Sequence, residues 1–535
     1  MGSSNDPPAS LRRLGAWLGA RDARALDAVS WLLFVIAALP VLLVPVLPYQ
    51  DLPSHLASVH ALWNPAKYTE FVGNGFFKTN AALFAWLYVA GRVLGLHLAS
   101  KVFTLVVLAL GAWILPRLFF ELTGKRSTAL TACLFVWPMI GNWWVLMGML
   151  DYALALPLSL WIVLLASRNV RAPKSTRSLG LALLGLVCWY AHAAALLIVG
   201  LLLVIEGIAQ PDRKRYVRSV IAPLLPAAAL VVYSLVLHMT EPEGAMTGDA
   251  HFTQLLPNWQ LAYHLWAEWC CGFGWRSLSS FAVVIGGVWG LWRINTTIPF
   301  FSTRAMAVLA LAYMLAPYSL TNWFHAGSRF IPYLWIGLLL RVPERLPRVL
   351  TRVMVLAAAL FTVGHTLEYQ LLDRDRRALT AGLEAVPRDS RMLPLIFTGK
   401  LHSEHTQSLL HAWGYYVIER DVSAPLLFAH SRAFPLMYRE PPPPRFNHLV
   451  LESFPGRMRK LRSFCERNRA NSQIIHDDCV GEYRNLWDEF WRDAEPRFDT
   501  LLVWDIPDET RALLPSSYVE SFREGRLSIY RRDAR

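Results

Sequence analysis

A carboxylate and an imidazole lie four residues apart at the end of the first apolar segment. Asp51 and His55 stand in residues 50–57 (QDLPSHLA), directly after an uncharged apolar run over residues 29–48. Ionisable side chains at the edge of a membrane are costly unless they are solvated or used. An ionised Asp at the rim of a cavity accepts a proton from an incoming hydroxyl or amine, or orients it. We therefore take Asp51 as a candidate general base, with His55 as its assistant or as a phosphate ligand.

A structural role for Asp51 fits the same residues. Asp is a favoured N-cap and Pro is tolerated in the first helical turn, so Asp51 would cap a helix over residues 52–63 that contains Pro53. The i, i+4 spacing would place His55 on the same face as Asp51. The capping and the catalytic interpretations are both open at this point.

Asp151 is a second isolated acid and a second catalytic candidate. It is the only charged residue between Arg126 and Arg168, and Asn142 and two tryptophans precede it closely. The span that starts at Tyr152 could instead use Asp151 as its N-cap. The topology derived below places Asp151 on the same side of the membrane as Asp51.

Four further residues are candidates for binding substrate. Arg329 precedes a late apolar run on the predicted outer side, against the positive-inside trend, and His325 lies four residues before it. A guanidinium binds phosphate through two parallel hydrogen bonds, although snorkelling to bulk lipid is the alternative. His192 lies where a long apolar run must turn, either as a turn residue or as a phosphate contact. Lys78 belongs to the first outer loop, residues 49–101.

Long apolar runs separate these residues and predict a polytopic α-helical membrane protein. Hydrophobic residues make up 54% of the 535 and charged residues 17%, and the mean hydropathy is +0.33. A membrane span needs roughly 20 mostly apolar residues. The formal charge of +13 does not indicate a nucleic-acid partner, because the basic residues fall in short loops between apolar runs.

The clusters of basic residues in the loops between apolar runs predict a topology of about eleven spans with the N-terminus inside and the C-terminus outside. All of them face the cytoplasm if residues 81–98 form a juxtamembrane helix that does not cross. Residues 178–205 must also turn back near His192 as two short spans. The expected divisions are a cytoplasmic segment 1–27, a transmembrane domain 28–365 and an extracytoplasmic domain 366–535. No cleavable signal peptide is expected, so the first span remains as an anchor.

The part beyond residue 365 is predicted to be a small α/β domain. Helix-like stretches, such as residues 404–418 and 480–493, alternate with strand-type segments at residues 391–398, 424–429, 448–451, 500–504 and 526–530. Whether Cys465 and Cys479 form a disulfide is left open by the sequence. His402, His405 and His411 are interpreted as surface or packing residues. No short metal-ligand spacing occurs, so no residue is predicted to be a metal ligand. The identity of any cofactor, including a divalent cation, stays unknown.

The layout resembles the GT-C superfamily of integral-membrane glycosyltransferases. An early acid in the first outer loop (Asp51 in QDLPSH) is followed by a second outer acid (Asp151 in GMLDYALALPL) and an exported C-terminal domain. His192 at the short-span hairpin and Arg329-Phe330 before a late span also resemble bacterial members. The resemblance covers about residues 28–365. It departs at Gln50-Asp51, where several branches of the superfamily carry paired acids.

This resemblance implies an inverting glycosyltransferase in a bacterial cytoplasmic membrane. The donor would be a sugar on a polyprenyl phosphate, and the acceptor an extracytoplasmic glycan, lipid or protein. Asp51 would be the base, with a further role for Asp151. Arg329, with Lys78 or His192, would stabilise the departing phosphate. The alternative is a non-catalytic scaffold or a transport or assembly component for envelope polysaccharide. A transporter would bury acids in mid-span, and this sequence has almost none there.

Overall fold

The computed structural model describes residues 9–239, 277–316, 319–320, 323–399, 402, 406–446, 451–452, 455 and 479–533. The amino-terminal two-thirds is helical, with α1 Ala9–Leu42, α2 Leu52–Trp63, α3 Ala82–Leu94, α4 Leu96–Thr123, α5 Arg126–Ile140, α6 Trp143–Met147, α7 Leu150–Arg171, α8 Ser175–Ala191, α9 Ala193–Ala209, α10 Arg213–Tyr216, α11 Ala222–Met239, α12 Ser277–Trp292, α13 Thr303–Leu315, α14 Ile331–Leu339 and α15 Arg348–Thr380. The rest is mixed, with β4 Met392–Ile396, α16 Gly414–Arg420, β5 Leu436–Tyr438, α17 Cys479–Ala494, β6 Thr500–Trp504, α18 Asp508–Arg511, β7 Tyr518–Glu524 and β8 Leu527–Arg532. The short strands β1 Phe71–Gly73, β2 Ser319–Leu320 and β3 Trp323–Phe324 lie within the helical part.

The chain is an integral membrane protein, as predicted. Within the described residues, six helical segments are long and apolar enough to cross a membrane: Asp22–Leu42, Leu96–Thr123, Arg126–Met147, Leu150–Arg171, Arg213–Leu237 and Arg348–Ala385. Shorter apolar helices, among them α9, α12 and α13, accompany them. The predicted number of about eleven spans is therefore not confirmed.

The outer faces of these helices carry large apolar side chains that no other part of the described chain covers. Exposed residues of this kind recur along α1, α8, α11, α12 and α15, for example Leu32, Leu183, Val232, Val288 and Leu356. A soluble monomer rarely exposes apolar area on this scale. The faces are instead suited to contact with lipid.

Two local features of the membrane part bear on the predicted topology. The helix α3 has 13 residues, which is about 20 Å and too short for a hydrocarbon core of about 30 Å. It ends at Gly95, whose φ of 76° lets the chain turn at once into α4. The long run 178–205 breaks at His192, which is extended (φ −165°, ψ 116°) and separates α8 from α9.

The helix bundle has two chemically different ends. Ion pairs between helices and loops gather at one end, which we call the basic end: Arg117–Asp27, Lys125–Glu344, Arg126–Asp22 and Arg168–Glu121. The starts of α2 and α7 and the break at His192 lie at the opposite end. The Cys188 thiol near the end of α8 lies 3.7 Å from the Ala155 carbonyl of α7, whereas Ser178 near the start of α8 bonds Asn169 of α7. The helix α8 therefore runs antiparallel to α7 and returns the chain to this second end.

The C-terminal domain packs on that second end. Its four-stranded sheet has the order β4-β6-β8-β7, in which β4 and β6 are parallel and the other pairs antiparallel. The strands β4, β6 and β8 match the predicted segments 391–398, 500–504 and 526–530, and α17 matches 480–493. Residues 427–429 form a 3-10 turn rather than a strand. Of the other predictions, segment 448–451 and the Cys465–Cys479 pair fall largely outside the described residues.

The helix α15 joins the two parts without interruption. Its 33 residues begin at Arg348 near the basic end and continue to Thr380, so the division predicted at residues 365–366 falls inside it. Near its C-terminal end, the Tyr416 hydroxyl of α16 donates to the Leu379 carbonyl (2.7 Å). A second helix contact is the pair of hydroxyls on Tyr49 and Tyr369, 3.3 Å apart.

Candidate active site

Asp51 occupies the N-cap position of α2, yet its carboxylate does not cap that helix. The Asp51 carbonyl accepts the amides of Ser54 (3.1 Å) and His55 (3.2 Å), whereas the side chain makes no capping hydrogen bond. Pro53 stands in the first helical turn, as predicted. The carboxylate is therefore not engaged in the way that the capping interpretation requires.

The Asp51 carboxylate instead faces two ionisable side chains of the C-terminal domain. Nε2 of His411 lies 3.6 Å from Oδ1 of Asp51 and 3.4 Å from Oε1 of Glu452. Burial raises the pKa of Asp51 to about 7, against a small lowering by the amide of Gln50. Burial, reinforced by the charge of Asp51, raises the pKa of Glu452 to about 8. Both acids therefore exchange protons near neutral pH, where general acid–base catalysis is most effective.

His411 is held between these acids by a tight contact of its loop with α2. The Gln50 side-chain oxygen accepts the Gln407 amide (2.7 Å), and the Tyr415 hydroxyl donates to the Leu47 carbonyl (3.3 Å). A Cβ on Gly414 would lie 2.5 Å from the Pro53 carbonyl oxygen, so only glycine permits this approach. Burial lowers the pKa of His411 to about 3, which keeps the imidazole neutral.

His55 lies in an aromatic slot beside this group. Its ring stacks on Phe428 (centroids 4.1 Å apart, planes 18° apart) and meets the edge of Phe84 at 4.9 Å. Burial and the neighbouring His411 lower its pKa to about 3. His55 thus shares a helix face with Asp51, as predicted, but its closest ring contacts are aromatic. Its predicted catalytic role stays a prediction.

A second group of predicted residues gathers around Trp144 and Tyr152. The Arg329 guanidinium lies 5.5 Å from the Trp144 ring centroid and 5.4 Å from that of Tyr152. The Tyr152 hydroxyl donates to the Arg329 carbonyl (2.8 Å). Arg329 is only 6% exposed, so its charge does not extend to bulk lipid as the snorkelling alternative requires.

The two predicted histidines flank this cation. The His192 ring meets the edge of Tyr152 at 5.4 Å, and its Nδ1 accepts the Ala194 amide (3.2 Å) at the start of α9. The His325 ring meets Trp143 at 4.8 Å and Trp144 at 6.1 Å. The structure therefore brings Arg329, His192 and His325 together. All three contact rings of one aromatic cluster, which consists of Trp143, Trp144 and Tyr152.

The short helix α6 connects the two groups. The amides of Gln50 and Asp51 donate to the carbonyls of Leu146 (3.3 Å) and Met147 (2.9 Å), while Trp144 of the same helix contacts Arg329. Gly148, with φ 88°, ends α6, and a Cβ there would lie 2.9 Å from the Leu52 amide nitrogen. Asp51 therefore contacts the C-terminal end of the five-residue helix α6, and Arg329 contacts a residue near its N-terminal end.

Asp151 and Lys78 have structural partners. Oδ1 of Asp151 accepts the Leu83 amide (2.8 Å), so this acid caps α3 rather than its own helix. Nζ of Lys78 donates to the carbonyls of Asn74 (2.9 Å), Arg432 (2.9 Å) and Phe434 (3.2 Å), which attaches the segment between α2 and α3 to the C-terminal domain. The catalytic role of Asp151 and the substrate-binding role of Lys78 stay predictions.

A small cleft of about 20 Å³, which is room for about one water molecule, opens beside His411. It is lined by Pro394, Ile396, Leu410, His411, Trp413, Pro425, Leu451 and Glu452. Sequence reasoning missed both ionisable members, because it interpreted His411 as a packing or surface residue and did not single out Glu452. Across the part of the chain that the structure describes, no group of three or more His, Cys, Asp and Glu could hold a metal ion.

Comparisons with known proteins find similarity among solved structures. No family model matches the chain, and no curated protein matches it. Among solved structures, it is similar to the arabinofuranosyltransferase AftD from Mycobacteria, seen by single-particle cryo-EM, with 14% sequence identity and a TM-score of 0.47. The match covers 95% of this chain and 41% of AftD, so the chain spans about two-fifths of the length of that protein.

Proposed function

We propose that this protein is a membrane glycosyltransferase of the GT-C type, which transfers a sugar from a polyprenyl-phosphate donor to an extracytoplasmic acceptor. The observation that carries the proposal is the Asp51 carboxyl. It is buried, it caps no helix, and it faces His411 and Glu452 beside a small cleft. Strongly perturbed acids in clefts are typical of catalytic sites.

The proposed reaction is an inverting displacement. Asp51 removes the proton from the acceptor hydroxyl while that oxygen forms a bond to the anomeric carbon of the donor sugar. The bond between the anomeric carbon and the phosphate oxygen breaks on the opposite face, and polyprenyl phosphate leaves with the electron pair. Arg329 stabilises the negative charge of that leaving group, which is where a guanidinium is most effective.

The orientation follows from the two ends of the bundle. The basic end belongs in the cytoplasm by the positive-inside rule, and the end that holds Asp51 and the C-terminal domain then lies outside. The N-terminus is cytoplasmic in this arrangement. A scaffold or transport component of the envelope would share the topology, but it offers no reason to bury an acid at a cost in stability.

The pH dependence of transfer tests the role of Asp51 as base. The purified protein in lipid vesicles is given a panel of synthetic polyprenyl-phosphate sugars with uncharged methyl glycosides as acceptors, and released polyprenyl phosphate is measured. Asp51 must be deprotonated to act and its pKa is about 7. We expect kcat/KM to fall about tenfold for each pH unit below that value and to level off above it. A pH profile in which kcat/KM does not fall below pH 7 would exclude Asp51 as the base. If no polyprenyl phosphate were released from any donor, the proposed function would be contradicted.

Arg329→Lys tests the phosphate clamp. Lysine keeps the charge but loses the planar, two-pronged geometry and the stacking on Trp144, so we expect kcat/KM for the lipid-linked donor to fall roughly ten- to a hundredfold. The conservative control is Arg304→Lys, at an exposed arginine at the start of α13, which should leave transfer unchanged. Full activity of Arg329→Lys with saturating donor would remove Arg329 from phosphate binding.

A further inference from the structure

Gln50 connects the helix bundle, the C-terminal domain and the candidate base. Its backbone amide donates to the Leu146 carbonyl of α6 (3.3 Å), which fixes the main chain. Its side-chain oxygen accepts the backbone amide of Gln407 in the C-terminal domain (2.7 Å). Its side-chain nitrogen lies 3.5 Å from Oδ1 of Asp51 and donates toward it. The residue before the candidate base is therefore held at its main chain and at both ends of its amide group.

The orientation of this amide group follows from its partner in the C-terminal domain. A backbone N–H can only donate, so the atom that faces Gln407 must be the side-chain oxygen of Gln50. The NH2 group then points toward Asp51. A hydrogen-bond donor favours the ionised form of a carboxyl, and Gln50 accordingly lowers the pKa of Asp51 against the larger raising effect of burial.

Three further ionisable groups of the described chain lie near the Asp51 carboxyl. Nε2 of His411 is 3.6 Å from Oδ1 of Asp51, the same oxygen that faces Gln50, and 3.4 Å from Glu452. His55 lies one turn further along α2. Burial is the main cause that lowers the pKa of both histidines to about 3, so neither carries a positive charge at neutral pH. Oδ1 therefore faces neutral groups, and a charge introduced at position 50 would act on it at short range.

We propose that Gln50 is a positioning residue, which holds Oδ1 of Asp51 and links the protonation of that carboxyl to the contact with Gln407. While the Gln407 amide binds the Gln50 oxygen, the NH2 group is directed at Asp51 and favours the carboxylate that accepts a proton. The inference rests on the proposed function for its effect on transfer, but the titration of Asp51 is a separate property.

Two substitutions of Gln50 separate the donor from the charge. Gln50→Glu replaces the NH2 group by a second carboxylate oxygen at the same distance from Asp51. The other oxygen of the new carboxylate can still accept the Gln407 amide, so the new acid ionises first and Asp51 then faces a negative charge. We expect Asp51 to titrate at least about one pH unit higher than in the wild type. Gln50→Met removes the donor without adding a charge and should raise the titration by less.

Infrared spectroscopy of the full-length protein measures this titration directly. The protein is placed in vesicles of ether lipids, which have no carbonyl group of their own. The C=O absorption of protonated Asp51 is assigned by its loss in Asp51→Asn, which separates it from that of Glu452. We expect a midpoint near pH 7 in the wild type. An unchanged midpoint in Gln50→Glu would overturn the proposal, and Gln50→Met decides in the same way if Gln50→Glu does not fold.

The control for the added charge is Asn295→Asp. Asn295 is exposed and follows α12, near the basic end of the bundle, so this substitution adds the same charge far from Asp51. The midpoint of Asp51 should not change.

The pH dependence of transfer gives a second measurement. In Gln50→Glu the fall of kcat/KM at low pH should begin at least about one pH unit higher, so that kcat/KM at pH 7 drops at least about fivefold and recovers at higher pH. A merely structural role would lower kcat/KM by the same factor at every pH. A shifted infrared midpoint without transfer from any donor would support the role of Gln50 and contradict the glycosyltransferase. Transfer with an unshifted pH profile would contradict the role of Gln50 alone.

Discussion

Asp51→Asn is expected to abolish sugar transfer and at the same time to raise the thermal stability of the protein. Burial raises the pKa of the Asp51 carboxyl from 3.8 to about 7. Each pKa unit corresponds to about 1.4 kcal/mol, so an ionised Asp51 costs the folded state on the order of 4 kcal/mol above pH 7. Asparagine has nearly the same shape, carries no charge and cannot accept the proton of the acceptor.

The gain in stability should depend on pH. Below about pH 4 the acid is protonated in the folded and the unfolded chain, and Asp51 and Asn are equivalent in charge. As the pH rises from 4 to 7 the unfolded chain ionises first, so the folded wild type loses stability relative to the variant. The apparent Tm in detergent should therefore differ more at pH 8 than at pH 5. Asp508→Asn, at a side chain that is 95% exposed, should show no such divergence.

A loss of stability in Asp51→Asn at both pH values would contradict this account. It would show that the carboxylate makes a stabilising contact in the folded protein, as the capping interpretation supposed. Normal transfer by a stably folded variant would remove Asp51 from the chemistry. The two measurements together separate a catalytic acid from a structural one.

Gly414→Ala is expected to separate the two halves of the candidate site. The added Cβ would lie 2.5 Å from the Pro53 carbonyl oxygen and 2.8 Å from its carbon, which are backbone atoms that cannot rotate away. The loop that carries His411 must then move back from the start of α2. We expect a destabilisation of about 1–3 kcal/mol and a loss of transfer of at least tenfold.

The matched control is Gly200→Ala in α9. A Cβ there meets nothing within 4 Å, so the substitution should leave transfer unchanged and stabilise the helix slightly, by roughly 0.5–1 kcal/mol. Apparent Tm and steady-state kinetics of both variants in the same detergent check the expectation. If Gly414→Ala proved as active as Gly200→Ala, close contact between α2 and the His411 loop would not be needed for function.

Sequence patterns predicted the helices and strands that depend mainly on residues close to each other in the chain. Apolar runs bounded by basic loops predicted the membrane helices, and the extended break at His192 was expected from a run too long for one span. The strand at residues 500–504 was predicted with its observed bounds, because all five of its residues are apolar or β-branched and buried. The number of spans was less predictable. Helices such as α9 and α12 are too short to be assigned by hydropathy alone.

The composition of the site was predictable only in part. Asp51 and Arg329 each flank a long apolar run, where a charged residue is unusual, so both could be identified from the sequence. His411 and Glu452 are ordinary residues in a polar domain, and only tertiary packing brings His411 to 3.6 Å from Asp51 across 360 positions of sequence. Asp151 shows the converse. It is conspicuous in the sequence, but its carboxylate caps α3, a helix that begins 69 residues earlier.

Under the proposed function, the unbroken helix α15 limits which acceptors can react. With 33 residues it is about 50 Å long, roughly 20 Å more than the hydrocarbon core it crosses. Because it continues into the C-terminal domain, it fixes that domain, which contains His411, at one height above the lipid surface. A donor tethered by its polyprenyl chain would present its sugar at a depth that the bilayer sets. Only an acceptor long enough, or flexible enough, to bring a hydroxyl to that depth would then react, whatever the chemistry of its remaining units.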